Sequence, residues 1–113
     1  MTLTVPTPPA EMLYTRQTDR LLSIATLEPQ TLEALMERID PQALAPISSW
    51  RPAASINVRA GHLRRTNQGN PALYALTRAG EAELERLWWV AVLMQELGCH
   101  RTVATELAKR AAA

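Results

Sequence analysis

The sequence predicts a mainly α fold with a small β-hairpin, and three observations lead to this prediction. Apolar residues recur at helical spacing over most of residues 15–111. Residues 62–76 differ, because two short strand candidates there flank a polar stretch that contains glycine. The chain has 113 residues, of which 47% are hydrophobic and 20% charged. This composition is sufficient for the core of one small domain.

Two helices are predicted within the first forty residues. Either Thr15 or Thr18 is able to cap the first, which runs to Ala25. Thr31 is a suitable N-cap for the second. Its apolar face is expected to consist of Leu32, Leu35, Met36 and Ile39.

The segment from Pro46 to Ala60 allows two interpretations. Helical spacing of its apolar residues favours a third helix that is kinked or restarted at Pro52. Pro52 is then expected in the first helical turn, where proline is tolerated, with Trp50 packing beneath the helix. The alternation of polar and apolar residues from Ser55 to Arg59 instead favours an extended strand.

A hairpin and two further helices are predicted for the rest of the chain. His62–Thr66 and Ala72–Leu76 are strand candidates joined by a polar tip. Thr77 is placed to cap a long helix over Arg78–Leu97, and Thr102–Ala111 are expected to form a short last helix. The predicted order is therefore helix, helix, irregular third helix, hairpin, long helix and short helix.

Positive charge is concentrated in the middle of the chain. The totals are 12 Lys and Arg against 11 Asp and Glu, a formal net charge of +1. Residues 1–40 contain three arginines and six carboxylates, whereas residues 41–80 contain five arginines and no carboxylate. Guanidinium groups bind phosphate bidentately, and neighbouring acids would repel it. This segregation favours a phosphate-binding surface, and the alternative is a solvated surface with no binding role.

Residues at the junctions of the predicted elements resemble a known family. The segments Pro29–Leu35, Ala60–Arg65 and Tyr74–Gly80 resemble the second-helix start, the first wing strand and the wing exit of winged helix-turn-helix domains. The wing exit has the form Tyr-x-Leu-Thr-x-x-Gly, which is similar to that of MarR, PadR and ArsR-like bacterial regulators. The resemblance covers residues 16–97 and implies a winged helix-turn-helix with a long C-terminal dimerisation helix.

The resemblance implies that the third helix lies in the major groove of double-stranded DNA, while the hairpin reaches the backbone or the minor groove. Arginines are expected to contact phosphate, and serine, Asn57 or Arg59 side chains to supply sequence preference at base edges. The predicted DNA-binding residues are Ser48, Ser49, Arg51, Ser55, Asn57, Arg59, Arg64, Arg65, Asn67, Gln68 and Asn70.

The long helix is predicted to hold a homodimer together. Leu87–Met94 is apolar all round a helix, whereas a small monomer usually buries one face. Trp88 and Trp89 point about 100° apart, so one is expected to serve the core and the other an interface. The predicted interface residues are Leu87, Trp88, Trp89, Val90, Leu93, Met94 and Leu97. The alternative is a helix buried within one chain.

Enzymatic, metal-binding and membrane functions are not indicated. The single cysteine, Cys99, excludes an intrachain disulfide, and no phosphate-cradling glycine loop or His-Glu-x-x-His motif is present. The longest apolar run has eight residues, far fewer than the roughly 20 of a membrane-spanning helix. We therefore expect a cytoplasmic protein that is not an enzyme and has no cofactor or metal.

These observations predict a flexible N-terminal arm over residues 1–13, a winged helix-turn-helix domain over 14–77 and a helical dimerisation segment over 78–113. The predicted function is sequence-specific binding of double-stranded DNA by a small dimeric transcription regulator. The alternative is a winged-helix protein–protein interaction module, such as a phage or plasmid accessory or inhibitor protein, that does not read DNA specifically.

Overall fold

The chain is mainly helical and contains a small three-stranded antiparallel sheet. A computed structural model describes residues 13–66 and 71–112. The described elements are α1 (Gln17–Ile24), β1 (Gln30–Thr31), α2 (Leu32–Ile39), a 3-10 helix (Ile47–Ser49), α3 (Arg51–Arg59), β2 (Leu63–Thr66), β3 (Leu73–Leu76), α4 (Arg78–Leu97) and α5 (Arg101–Ala112).

The first two helices lie where the sequence predicts them, with a change at the first N-cap. Thr31 caps α2 as expected, since its hydroxyl oxygen accepts a hydrogen bond from the backbone N–H of Ala34 at 3.1 Å. The N-cap of α1 is Arg16 rather than Thr15 or Thr18. The Arg16 guanidinium donates two hydrogen bonds, of 3.0 and 3.1 Å, to the buried carboxylate of Asp19.

The segment before the hairpin is helical, so the strand interpretation of Ser55–Arg59 is wrong. A 3-10 turn leads into α3, and Pro52 lies in the first turn of α3 as predicted. An N–H has no intrahelical partner in that turn, so proline costs little there. Ala53, Ala54 and Asn57 are the buried residues of α3, which is the spacing of a helix face rather than the alternation of a strand.

The predicted hairpin is confirmed, and a strand that the sequence did not indicate joins it. β2 pairs with β3 in the register Leu63↔Leu76, and β1 pairs with the other edge of β3 in the register Gln30↔Tyr74. The sheet order is therefore β1-β3-β2. β1 has only two residues and ends at the N-cap of α2, which is too short to produce a periodic pattern.

The chain divides into two compact units. Residues 16–84 form the first unit, and residues 85–112 with 13–15 belong to the second unit. The core of the first unit is drawn from α1, α2, α3 and β2, with Ala25 just after α1 and Trp50 just before α3. It comprises Leu21, Leu22, Ala25, Leu32, Leu35, Met36, Trp50, Ala53, Ala54 and Leu63. The division falls inside α4 rather than at the predicted boundary before Arg78, because Leu84 packs against this core.

The segment Thr77–Gly80 fixes the start of α4 against the base of the hairpin. The Thr77 N–H donates to the His62 carbonyl at 3.1 Å, and the Thr77 hydroxyl oxygen accepts from the Gly80 N–H at 3.0 Å. The same hydroxyl lies within donating distance of the Gly61 and His62 carbonyls. A Cβ at Gly80 would overlap the His62 carbonyl oxygen. The Thr-x-x-Gly spacing therefore caps the helix and allows its first turn to contact the hairpin backbone.

We predict that Gly80→Ala lowers the free energy of unfolding by about 1–3 kcal/mol, because the added methyl must displace backbone. Thr77→Val should cost about 1 kcal/mol through loss of the cap. Ala79→Ser, at an exposed position of the same turn, is the control and should stay within about 0.5 kcal/mol of the parent. Urea unfolding followed by circular dichroism measures all three. A Gly80→Ala protein as stable as the parent would contradict the close approach.

Candidate nucleic-acid interface

The exposed face of α3 carries an unbroken row of polar and basic side chains. Arg51, Ser55 and Arg59 follow one another at intervals of four residues and are all exposed. Residues with this spacing are neighbours on one side of a helix. Ile56 lies beside the row and is 51% exposed. The face therefore offers two guanidinium groups, one hydroxyl and one branched aliphatic side chain.

Asn57 holds α3 in place and does not belong to this face. Its side chain is only 3% exposed, and its Nδ2 donates hydrogen bonds of 3.0 Å to the carbonyl oxygens of Thr18 and Ala53. The Asn57 carbonyl accepts from the His62 N–H at 2.9 Å. The prediction that Asn57 contacts a base is therefore wrong, because its donors are already used inside the fold.

Trp50 anchors the start of α3 in the core. Its ring is buried, and the Arg20 guanidinium of α1 lies 5.9 Å from the ring centroid, a cation–π distance. Asp40 shapes the preceding turn by accepting hydrogen bonds from the N–H groups of Ala45 at 2.8 Å and Leu44 at 3.0 Å. These bonds, with a smaller effect of the Arg20 charge, hold the pKa of Asp40 below its usual value. The carboxylate nearest in sequence to α3 is therefore already hydrogen-bonded to the backbone of its own turn.

The two predicted serines before α3 differ in availability. Ser48 is exposed. The Ser49 hydroxyl donates to the Pro46 carbonyl at 2.7 Å, so this side chain closes the 3-10 turn. Ser49 therefore has a local partner, as serines at helix starts commonly do.

The hairpin adds arginines on both faces of β2. Arg64 is opposite Ala75 and Arg65 is opposite Tyr74, and both arginines are exposed. Successive residues of a strand point to opposite faces, so this edge presents positive charge in two directions. Among described residues, neither these two arginines nor Arg51 and Arg59 form an ion pair. Asn67, Gln68 and Asn70, predicted at the hairpin tip, lie outside the described residues.

Fewer of the predicted dimer-interface residues are accessible on α4 than the sequence suggested. Leu87 and Val90 are 3% and 1% exposed within one chain, so neither is available to a partner and their assignment to the interface is corrected. Val90 packs with Ala104 and Ala108, and Leu93 and Met94 are partly buried against that cluster. Val90 is buried because Ala104 and Ala108 of α5 pack against it.

Two large apolar side chains of α4 remain on the surface of the second unit. Trp89 is 45% and Leu97 is 61% exposed. Trp88 is half-buried and contacts Trp89 edge to face, with ring centroids 4.9 Å apart and planes at 83°. The two tryptophans thus differ in exposure, as their helical spacing predicts.

Cofactor sites and relatives give no further assignment. Within residues 13–66 and 71–112, no group of three or more His, Cys, Asp or Glu is arranged to hold a metal ion. None of the helices in these ranges is both long and apolar enough to cross a bilayer. Protein-family models, curated proteins and solved structures yield no significant match to this chain.

We predict that Asn57→Ala lowers the free energy of unfolding by about 1–3 kcal/mol, because it removes two hydrogen bonds of a buried side chain and leaves its space unfilled. Ser55→Ala removes an exposed hydroxyl from the same helix and should change it by less than about 0.5 kcal/mol. Chemical denaturation monitored by tryptophan fluorescence gives both values. Equal stabilities for the two variants would show that the buried amide does not hold α3.

Proposed function

We propose that this protein binds double-stranded DNA as a small dimeric winged helix-turn-helix transcription regulator, with α3 in the major groove and the hairpin on the backbone. The observation that carries the proposal is the exposed face of α3, where Arg51 and Arg59 flank Ser55 with no acidic residue in the helix. Within residues 13–66 and 71–112 neither arginine forms an ion pair, and guanidinium groups in such a row suit contact with phosphate and with guanine edges.

The order of elements supports this proposal. Within the described residues, the helices α1, α2 and α3 precede an antiparallel hairpin, and α3 ends four residues before the start of β2. The exposed face of α3 and the arginines of β2 belong to one compact unit, residues 16–84. A B-DNA major groove admits one α-helix, so α3 has the dimensions of a groove-binding element. Arg64 and Arg65 then serve as backbone contacts that set position rather than sequence.

Dimerisation through α4 is part of the same proposal. Trp89 and Leu97 are large apolar residues at i and i+8 on α4, separated by the partly buried Leu93 at i+4. An apolar row of this kind suits a two-fold contact with the same row of a second copy. Two copies would present two α3 helices to successive major grooves.

A second candidate function is a protein–protein interaction module. Ile56 on the α3 face and Leu44, which is 82% exposed before it, are apolar groups that suit a protein partner. The formal net charge of +1 is also low for a DNA-binding protein. A gel shift with random-sequence duplex at low salt separates the candidates. Salt-sensitive retention supports DNA binding, and no retention at micromolar protein supports the interaction module.

We predict that Arg64→Ala with Arg65→Ala weakens binding to every duplex by a similar factor. The slope of log K against log salt concentration should fall by up to about two, since each lost phosphate contact removes about 0.9. Lys109→Ala with Arg110→Ala removes the same charge from α5 and should leave the slope unchanged. Fluorescence anisotropy over a salt series provides the measurement. If only a preferred sequence loses affinity, the hairpin reads bases and its proposed role is wrong.

We predict that Trp89→Glu yields a folded monomer, because it places a charge where two apolar rows would meet. Val90→Glu should instead unfold the second unit, since Val90 is buried against Ala104 and Ala108. Light scattering at tens of micromolar protein reports mass, and circular dichroism reports folding. A parent protein of monomer mass would rule out the dimer.

A further inference from the structure

We infer that Ile56 is a specificity-determining residue that reads the 5-methyl group of thymine in the major groove. The inference rests on the proposed DNA binding and assigns a base preference to one side chain. Ile56 is the large hydrophobic side chain that α3 leaves exposed.

The exposure of Ile56 is not required by folding. The core side of α3 is occupied by Ala53, Ala54 and Asn57, which are buried. Ile56 is 51% exposed in the middle of a helix of nine residues, with Pro52 and Arg59 as exposed neighbours at i−4 and i+3. Its β-branched side chain is stiff and lowers helix propensity slightly, so it gives α3 no local advantage over alanine. A binding role accounts for this residue type at this position.

The flanking arginines would place Ile56 close to base edges. At a rise of about 1.5 Å per residue, Arg51 and Arg59 are about 12 Å apart along the axis, with Ile56 about 4.5 Å from Arg59. Base pairs are stacked about 3.4 Å apart, so the two arginines span three to four steps. An α3 helix held by both guanidinium groups therefore carries Ile56 within one or two base pairs of Arg59.

The chemistry of the groove then selects thymine. Its 5-methyl is the apolar group that the major groove presents, whereas the other base-edge groups there are hydrogen-bond donors and acceptors. An isoleucine side chain offers no hydrogen bond to those groups and would desolvate them without compensation. Contact with the methyl instead removes apolar surface of both partners from water. Isoleucine thus favours thymine through attraction and disfavours the other bases through unsatisfied polar groups.

The test compares thymine with deoxyuridine, which lacks only this methyl. Duplexes enriched by the parent protein from a random pool are synthesised with each thymine singly replaced by deoxyuridine, and affinity is measured by fluorescence anisotropy. Removing one buried methyl is worth about fourfold in affinity. We expect a loss of that size at one or two positions for the parent, and no loss at these positions for Ile56→Ala.

Matched variants exclude indirect effects. Ile56→Val retains a branched side chain and should retain the sensitivity to deoxyuridine. Val103→Ala truncates an aliphatic residue of α5 that is 50% exposed and should leave the sensitivity unchanged. Circular dichroism of Ile56→Ala verifies that the exposed substitution preserves the fold.

The outcomes separate this inference from the proposed function. If the parent protein binds duplex and its affinity is unchanged by deoxyuridine at every position, the proposed role of Ile56 is wrong, although DNA binding stands. The proposed role of Ile56 is also wrong if the Ile56→Ala variant loses as much affinity on deoxyuridine substitution as the parent does. Failure to bind or to enrich any duplex overturns the inference, and failure to bind at low salt overturns the proposed function as well.

Discussion

The buried side-chain amide of Asn57 is the interaction on which the arrangement of the first unit depends. It joins α3 to α1 through the Thr18 carbonyl, and the Asn57 carbonyl receives the N–H of His62 just before β2. One residue therefore connects α1, α3 and the start of the hairpin. Because a buried amide costs free energy unless it is hydrogen-bonded, this position tolerates few rotations of α3. The outward direction of Arg51, Ser55, Ile56 and Arg59 follows from that restriction.

The segment Thr77–Gly80 restricts the start of α4 in the same way, through backbone contacts with His62. His62 is bonded to Asn57 on one side, and its carbonyl accepts from Thr77 on the other. The close approach at Gly80 then brings α4 against this backbone. The helix α3, the hairpin and the start of α4 are thus linked through main-chain groups of Asn57 and His62. These main-chain contacts do not involve surface side chains, so the exposed arginines can be substituted without loss of the fold.

The sequence predicted the elements well where periodicity or capping was strong. The α2 stripe, the Thr31 and Thr77 caps and the position of Pro52 in a first turn all follow from local chemistry. β1 was not predicted because two residues carry no period. Asn57 was assigned to DNA because it is polar, although its spacing from Trp50 and Ala54 is that of a core stripe. Whether such a residue faces the core or a ligand depends on the carbonyl of Thr18, which lies 39 positions away in the chain.

Local charge, rather than net charge, decides whether one surface of this protein suits DNA. Exposed Glu33 and Glu37 belong to α2, whereas the exposed side of α3 and β2 carries arginine without acids. A formal net charge of +1 is therefore compatible with one strongly basic surface. Backbone amide chemical-shift mapping with a 20-base-pair duplex tests this claim most directly. The account predicts changes concentrated in residues 51–59 and 63–66, with the exposed side of α2 unaffected. Changes centred on Glu33 and Glu37, or none at saturating duplex, would contradict it.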